Sequence, residues 1–323
     1  MQAPNHGYKA IFIMLGLLAI AAFITLDTVT EPKPLMTTPT PWGYTKSLTL
    51  FIFPVLALAV WATFHHHDRI PRKAMWITIG IFAPLGFLLD IFLGLLFFKF
   101  PNEGATLGFR VYGFDWETMA WVKKIPIEEF GFYAFGIAFV VSSYVWMDEH
   151  YLRLYNRFDY QEGPPGIIRI NWAALAWAIV LIVAGIAFKK FGPDAGDGGF
   201  PGWFIFQVLV AFLPAALLYN ATKNYVNWRA FGFTAVIMLL ISVIWEVTLG
   251  LPYQWWGFHD EQMLGIYVYA WSRLPIEEPL LWIMVSFTCI IFYEALKLYL
   301  SIREHQDLPR MQVLLPPKSE PQE

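Results

Sequence analysis

The sequence predicts an all-α, polytopic integral-membrane bundle of about eight transmembrane helices, arranged as two tandem parallel repeats of four. Three observations predict it. Hydrophobic residues make up 57% of the 323 and charged residues only 15%, whereas soluble domains carry about 25% charged residues. A water-soluble fold would therefore expose too much apolar surface. Eight stretches are apolar over roughly the 20 residues that a helix needs to cross a bilayer. A long acidic pattern from the first half returns in the second half in the same order. The formal charge of −3 excludes a strongly basic nucleic-acid binder. The single cysteine, Cys289, excludes an intrachain disulfide and any Cys-based zinc or iron–sulfur site.

The first expected span runs from Lys9 to Thr28. A signal peptide is the rival reading, but no small-x-small cleavage site follows the apolar run. The remaining spans are Ser47–Phe64, Ala74–Phe98, Ile127–Met147, Asn171–Phe188, Trp203–Tyr219, Ala230–Leu251 and Ile276–Leu300. Each is apolar nearly all round rather than along a stripe, as lipid-facing helices are. Eight spans put both termini on one side. That side carries 13 of the 22 Lys and Arg, and the other carries 9. Positive residues favour the cytoplasm, so the termini are placed there, with the chain a multi-pass protein of the cell inner membrane. Residues 307–323 are polar and Pro-rich and are expected to form a disordered tail.

The repeat places residues 1–160 in one unit and 161–306 in the other, with Gly163-Pro164-Pro165-Gly166 as the linker. Leu89-Asp90-Ile91-Phe92-Leu93-Gly94 closes the third span, and Ile125-Pro126-Ile127-Glu128-Glu129 opens the fourth. Trp245-Glu246-Val247-Thr248-Leu249-Gly250 closes the seventh, and Leu274-Pro275-Ile276-Glu277-Glu278 opens the eighth. The loops share Leu107-Gly108 and Leu264-Gly265. Asp90 to Pro126 is 36 positions and Glu246 to Pro275 is 29, so the first loop is longer by seven. Four spans per half make the repeats parallel, and sites shared by repeats lie at their interface. Both acidic motifs then sit on one side, the outer one.

Pro-Ile-Glu-Glu has a purely structural explanation, because proline suits a first helical position and glutamates there complement the helix dipole. Against it, the motif occurs twice at matching places. Each copy follows an acid inside the preceding span, and no Lys or Arg is close by within those spans. At 1.5 Å per residue, Asp90 and Glu246 lie about 12 and 8 Å below their span ends. An acid within a span costs about 2.5–3.5 kcal/mol on insertion scales unless it faces a partner or cavity. Carboxyls clustered in an apolar pocket can divide into a proton donor and a proton acceptor, which is general acid–base chemistry without metal or cofactor. The candidate acids are Glu128, Glu129, Glu277, Glu278, Asp90 and Glu246. Tyr112, Trp116, Trp121, Trp255, Trp256, Tyr267, Tyr269 and Trp271 add ring faces that attract cations, or else form an interfacial belt. Trp121, Trp255, Trp256 and Trp271 are the candidates for stabilising a cation. Such a pocket suits alkene protonation through a carbocation.

The succession of Trp255-Trp256, Leu264-Gly265-Ile266 and Leu274-Pro275-Ile276-Glu277-Glu278 after an acid in the preceding span resembles the small integral-membrane lycopene cyclases of the heterodimeric or fused type. The first half keeps Leu107-Gly108 and Pro126-Ile127-Glu128-Glu129 but lacks the Trp pair. The likeness covers roughly residues 50–147 and 203–300. It implies an intramolecular lyase or isomerase that closes the linear ends of lycopene into β-rings without a cofactor. It also implies that the Pro-x-Glu-Glu motif is essential. The implied partners are a hydrophobic polyene or polyprenoid substrate, the lipid bilayer and other enzymes of carotenoid biosynthesis. Departures are the fourth span per half, the longer first loop with Phe114-Asp115-Trp116-Glu117, and Pro279 where Phe130 stands in the first copy.

Other signals carry less. His65-His66-His67-Asp68 reads as a solvated loop beside Arg69, and Asp194 to Asp197 is glycine-rich without a phosphate fingerprint. Asn220-Ala221-Thr222 fits a glycosylation acceptor but falls on the predicted cytoplasmic side. No Asp-rich diphosphate motif, Walker motif or nucleophile elbow is present. The alternatives to a carotenoid cyclase are a cyclase, isomerase or hydratase of another polyprenoid and, outside enzymes, a small-molecule transporter. A transporter would place its acids nearer the midplane, with breaks inside its spans.

Overall fold

The computed structural model of the chain describes residues 16, 20, 41–64, 71–156, 166–192, 199–306 and 308–315. The expected span Lys9–Thr28, apart from Gly16 and Ile20, lies outside the described residues, as do His65 to Asp68, Gly163 to Pro165 and Asp194 to Asp197. The described chain is mostly helical, and seven of its helices are long and apolar enough to cross a membrane.

In chain order these are α1 (Gly43–Phe64), α2 (Arg72–Leu89), α3 (Glu128–Trp146), α4 (Trp172–Phe191), α5 (Gly202–Thr222), α6 (Trp228–Trp245) and α7 (Glu277–Gln306). Their starts follow from local chemistry. The side chains of Asn171 and Asn227 cap α4 and α6 by accepting from the backbone N–H of Ala174 and Ala230, at 3.2 and 3.3 Å, which satisfies one of the free N–H groups of a first turn. Pro71 and Pro201 precede α2 and α5. Pro54, Pro84 and Pro214 sit inside helices, as membrane helices tolerate when neighbouring groups satisfy the freed carbonyl.

Three helices end in a π turn: α2 in Asp90–Gly94, α3 in Met147–Tyr151 and α6 in Glu246–Gly250. Each widened turn contains at least one buried acid. Such bulges are frequent at functional sites.

Helices α3 and α7 are central. In their most apolar stretches 56% and 50% of residues are buried, against 17–39% for the other five. Helices α1, α2 and α6 pack on α3, and α5, α6 and α2 pack on α7, with α4 outside α5. The largest core joins Val55, Met75, Val141, Tyr144, Met238, Ile290 and Tyr293, so it draws on both parts of the chain. The outward faces carry Leu50, Phe53, Leu88, Ile179, Val183 and Leu240. Lipid is as apolar as these side chains, so cohesion between helices in a membrane comes from close packing and interhelical hydrogen bonds.

One such polar joint lies at the end of the core away from the acidic motifs. Lys297 of α7 is 3.0 Å from Glu294 Oε1, 3.3 Å from Asp148 Oδ2 and 3.8 Å from Glu149 Oε1, with every one of these side chains buried. The Tyr144 hydroxyl donates to Glu294 at 2.7 Å and accepts from the Asn227 backbone N–H at 3.0 Å.

The loops at the other end form three short antiparallel pairs. Strand β1 (Phe98–Lys99) pairs with β4 (Gly257–Phe258), β2 (Arg110–Asp115) with β3 (Ala120–Pro126), and β5 (Tyr267–Val268) with β6 (Leu274–Pro275). The hairpin β2–β3 is where the first loop exceeds the second. Pro126 and Pro275 close strands instead of opening helices, and the helices begin two residues later at Glu128 and Glu277. The tail expected to be disordered from 307 is ordered in part: a short helix α8 covers Arg310–Leu314. Val313 is buried there against Ile167, Leu298 and Ile302. The backbone N–H groups of Gly166 and Ile167 donate to the Val313 carbonyl, and that of Ile168 to Leu314.

Candidate functional site

The acids that lead the two π turns and the second glutamate of each motif converge on one cavity. Its volume is about 470 Å³, and Asp90, Glu129, Glu246 and Glu278 all line it. No Lys, Arg or His is among the lining residues. The walls are apolar and aromatic, with Tyr44, Phe132, Tyr133, Trp203, Trp256 and Trp282.

The two halves of each glutamate pair do different things. Glu128 Oε1 accepts the Leu107 backbone N–H at 2.7 Å and the Thr45 hydroxyl at 2.6 Å. Glu277 Oε1 accepts the Leu264 backbone N–H. Neither lines the cavity. They hold the Leu-Gly loops whose glycines take positive φ, 82° at Gly108 and 97° at Gly265, a conformation that glycine adopts without steric cost. Beside them the Ile127 and Ile276 N–H groups donate to the carbonyls of Phe109 and Ile266, each at 2.9 Å. Glu129 Oε1 instead accepts the Tyr44 hydroxyl at 2.7 Å, and Glu278 Oε1 accepts Trp203 Nε1 at 2.8 Å.

The acids of these two π turns have neutral partners. Glu246 Oε1 accepts the Ser242 hydroxyl at 2.9 Å. Tyr133 is a hydrogen-bond partner of Asp90, and Trp282 of Glu246. Buried charges are usually paired with an opposite charge, so four carboxyl groups around one apolar cavity with no cation among its described lining residues call for a functional explanation.

Of the four candidate tryptophans, Trp256 alone lines the cavity. Trp255 is buried behind Tyr44, its ring stacked 6.2 Å away. Trp271 packs on the cluster around Phe97 and Trp203. Trp121 is displaced entirely: it lies exposed on β3 against Phe92 and Phe114. Tyr112, Trp116, Tyr267 and Tyr269 do not line the cavity either. The residues that sequence reasoning missed are Tyr44, Tyr133, Trp203 and Trp282. Two of them had a signal, since Tyr133 and Trp282 stand four residues after Glu129 and Glu278, on the same helical face.

Leu85, Leu209 and Leu213 line the cavity and are also 42%, 48% and 57% exposed. Among the described residues the cavity therefore opens sideways between α2 and α5, onto the apolar flank of the bundle.

No family model, no curated protein and no solved structure matches the chain.

Proposed function

We propose that the protein is a membrane enzyme that cyclises the linear ends of a carotenoid, lycopene to a β-ring carotene, by carboxylic acid–base chemistry without a cofactor. The observation that carries this reading is the cavity in which Asp90, Glu129, Glu246 and Glu278 meet among aromatic and apolar side chains, with no Lys, Arg or His among the described residues that line it. Its sideways opening suits a substrate dissolved in lipid.

The reaction is an isomerisation. A carboxyl O–H of the cavity, on Glu129 or Glu278, gives its proton to the terminal double bond, leaving a tertiary carbocation. The internal double bond attacks it, forming the ring C–C bond and moving the charge onto the ring. A neighbouring carboxylate removes a ring proton, and the new double bond forms. One proton enters and one leaves, so the product has the substrate's formula. Asp90 and Glu246 would pass the proton back between turnovers. Trp256, Trp282 and Tyr133 offer ring faces to the cation. Clustered carboxyls without a fixed counter-charge can supply both an acid and a base in one pocket.

In this reading the chain is two tandem parallel repeats of four spans, with Lys9–Thr28 the first span of the first repeat. The helix contacts support it: exchanging α1 with α5, α2 with α6 and α3 with α7 maps the main contacts onto one another. So do the two π turns, the two glutamate-held Leu-Gly loops and the two aromatic donors to Glu129 and Glu278. The termini then face the cytoplasm, and the cavity lies toward the outer side of the cell inner membrane. One shared cavity means that both repeats contribute to one site.

The test is pigment extraction from bacteria that accumulate lycopene, with and without this gene. Monocyclic or bicyclic carotenes are expected. Unchanged lycopene, with the protein present in the membrane, would refute the substrate and shift the reading to another polyprenoid.

A further inference from the structure

The hairpin β2–β3 carries the seven residues by which the first loop exceeds the second, and the repeat itself gives it no purpose. Its tip is firmly placed. Asp115 Oδ1 accepts the N–H groups of Glu117 and Thr118, at 3.1 and 3.3 Å. The Trp116 indole donates to the Phe92 carbonyl at 2.7 Å. Met119 closes the turn at φ 51°, a left-handed conformation that costs a non-glycine residue energy and persists only where the surroundings impose it.

Facing this tip is a short turn of the second loop, Asp260–Gln262, preceded by His259. It too is held on every side. The His259 N–H donates to the Phe97 carbonyl at 3.0 Å, and the Glu261 carbonyl accepts from Phe200 at 2.8 Å. Asp260 accepts from Tyr267 at 3.1 Å and from Arg273 at 2.9 Å. Burial, and then the charge of Asp260, push the Tyr267 phenol above its ordinary range, so it stays a donor.

Between these two fixed segments, one ligating atom each of Glu117, His259 and Glu261 lies within 4.8 Å of the other two. His259 Nδ1 is already 3.0 Å from Glu261 Oε1. Neither glutamate is paired with a lysine or arginine among the described residues. Both glutamates are exposed, so small rotations of free side chains bring all three atoms to about 2.0–2.2 Å from a common centre. An imidazole with two carboxylates suits a first-row divalent cation, with water in the remaining position.

The geometry points to a zinc-type divalent cation site at Glu117, His259 and Glu261, which clamps the hairpin tip of the first loop to the second loop. The clamp would lie next to the β1–β4 pair, where Phe98 lines the cavity, and so would order the cavity's loop-side roof. This inference does not depend on what the cavity transforms.

The experiment is calorimetric titration of the purified full-length protein in detergent with Zn²⁺, repeated with Co²⁺ and read by absorption. One saturable equivalent is expected. Glu117→Gln and His259→Ala should each weaken it at least tenfold and remove the cobalt spectrum. Replacing His65, His66 and His67 by alanine should leave it intact. Tight binding that survives the Glu117→Gln/His259→Ala double variant, or no saturable binding, overturns the site. The only native cysteine, Cys289, is buried, so spin labels on cysteines introduced at Thr118 and Gln262 report the clamp. Zn²⁺ should narrow their distance distribution, and an unchanged distribution with zinc bound overturns the clamp.

Discussion

Adjacent glutamates of one motif should fail in different ways when each is changed to glutamine. Glu277 lies off the cavity and accepts the Leu264 N–H. A hydrogen bond to a charged group is worth about 1.5–3 kcal/mol and a neutral one about 0.5–1.5. Glu277→Gln keeps the acceptor and loses the charge, so it should cost about 1 kcal/mol of stability and leave turnover within about tenfold of the parent. Glu278 accepts Trp203 Nε1 and lines the cavity. Glu278→Gln should cost a similar amount of stability but remove a proton-transfer group, and such groups supply about 10²–10⁴-fold in rate. The assays are polyene conversion in isolated membranes and thermal unfolding in detergent. Glu128→Gln and Glu129→Gln should repeat the split, because Glu128 holds Leu107 and Glu129 faces the cavity. The reasoning fails if Glu277→Gln abolishes turnover at unchanged stability, or if Glu278→Gln stays within tenfold of the parent.

Three further outcomes follow from local geometry. A Cβ at Gly94 would overlap Asp90 Oδ1, so Gly94→Ala should displace the acid at about 1–3 kcal/mol of overpacking and lower turnover with every ionisable group intact. Gly80→Ala, on the same helix with open space around it, is the matched control. Lys297→Met leaves Asp148, Glu149 and Glu294 buried without their cation, which should destabilise by about 3–5 kcal/mol. Thermal unfolding should show Lys297→Met/Asp148→Asn to be less damaging than Lys297→Met alone. At the hairpin tip, the Thr118 N–H bond first, and then Lys124, hold the Asp115 carboxyl below the usual range. A depressed acid stabilises the turn above its unfolded value near 3.9 and loses that contribution as pH falls through the lowered one. The protection factor of the Thr118 amide, its exchange rate relative to an unstructured amide at the same pH, should therefore hold at neutral pH and fall only in strong acid.

The spans were legible because length and apolarity suffice: Ile127–Met147 was expected where Glu128–Tyr151 is found, and Trp203–Tyr219 where Gly202–Thr222 is. The acids and the Leu-Gly pairs were legible because they recur. The roles of the aromatics were not. Trp121 follows a turn that sets β3 outside the bundle, and nothing in its neighbours' composition reveals that. Tyr44 and Trp203 reach Glu129 and Glu278 from other helices, contacts that no local pattern encodes. A Pro ahead of a Gly–aromatic step, in Pro41-Trp42-Gly43-Tyr44 and Pro201-Gly202-Trp203, is the trace they leave. The order in 310–314 rests on Val313 finding a groove made by Ile167 and α7 and on backbone hydrogen bonds from residues 166–168, contacts between distant parts of the chain that no local pattern encodes.

The doubled glutamate is best understood through helix geometry. Consecutive residues on a helix point about 100° apart, so two adjacent acids cannot face the same space. At the first turn of α3 and of α7 the first acid meets the loop that leads into the helix, and the second meets the bundle interior. The loop acid fixes the backbone just ahead of the helix, and that in turn fixes the direction of its neighbour. The π turns complete the arrangement from the other side. Each begins with an acid and ends with a glycine, Asp90 to Gly94 and Glu246 to Gly250, and in both a Cβ on the glycine would strike the site, at Asp90 in one and at the Trp256 ring in the other. The site is thus bounded by groups whose positions are set by backbone and bulk, and its four carboxyls meet no Lys, Arg or His among the described residues that line the cavity. At the other end of the same helices Lys297 supplies such a cation to Asp148 and Glu294. The contrast between the two buried acidic clusters, one with a cation and one without among the described residues, is the strongest physical reason to assign the proposed chemistry to Asp90, Glu129, Glu246 and Glu278.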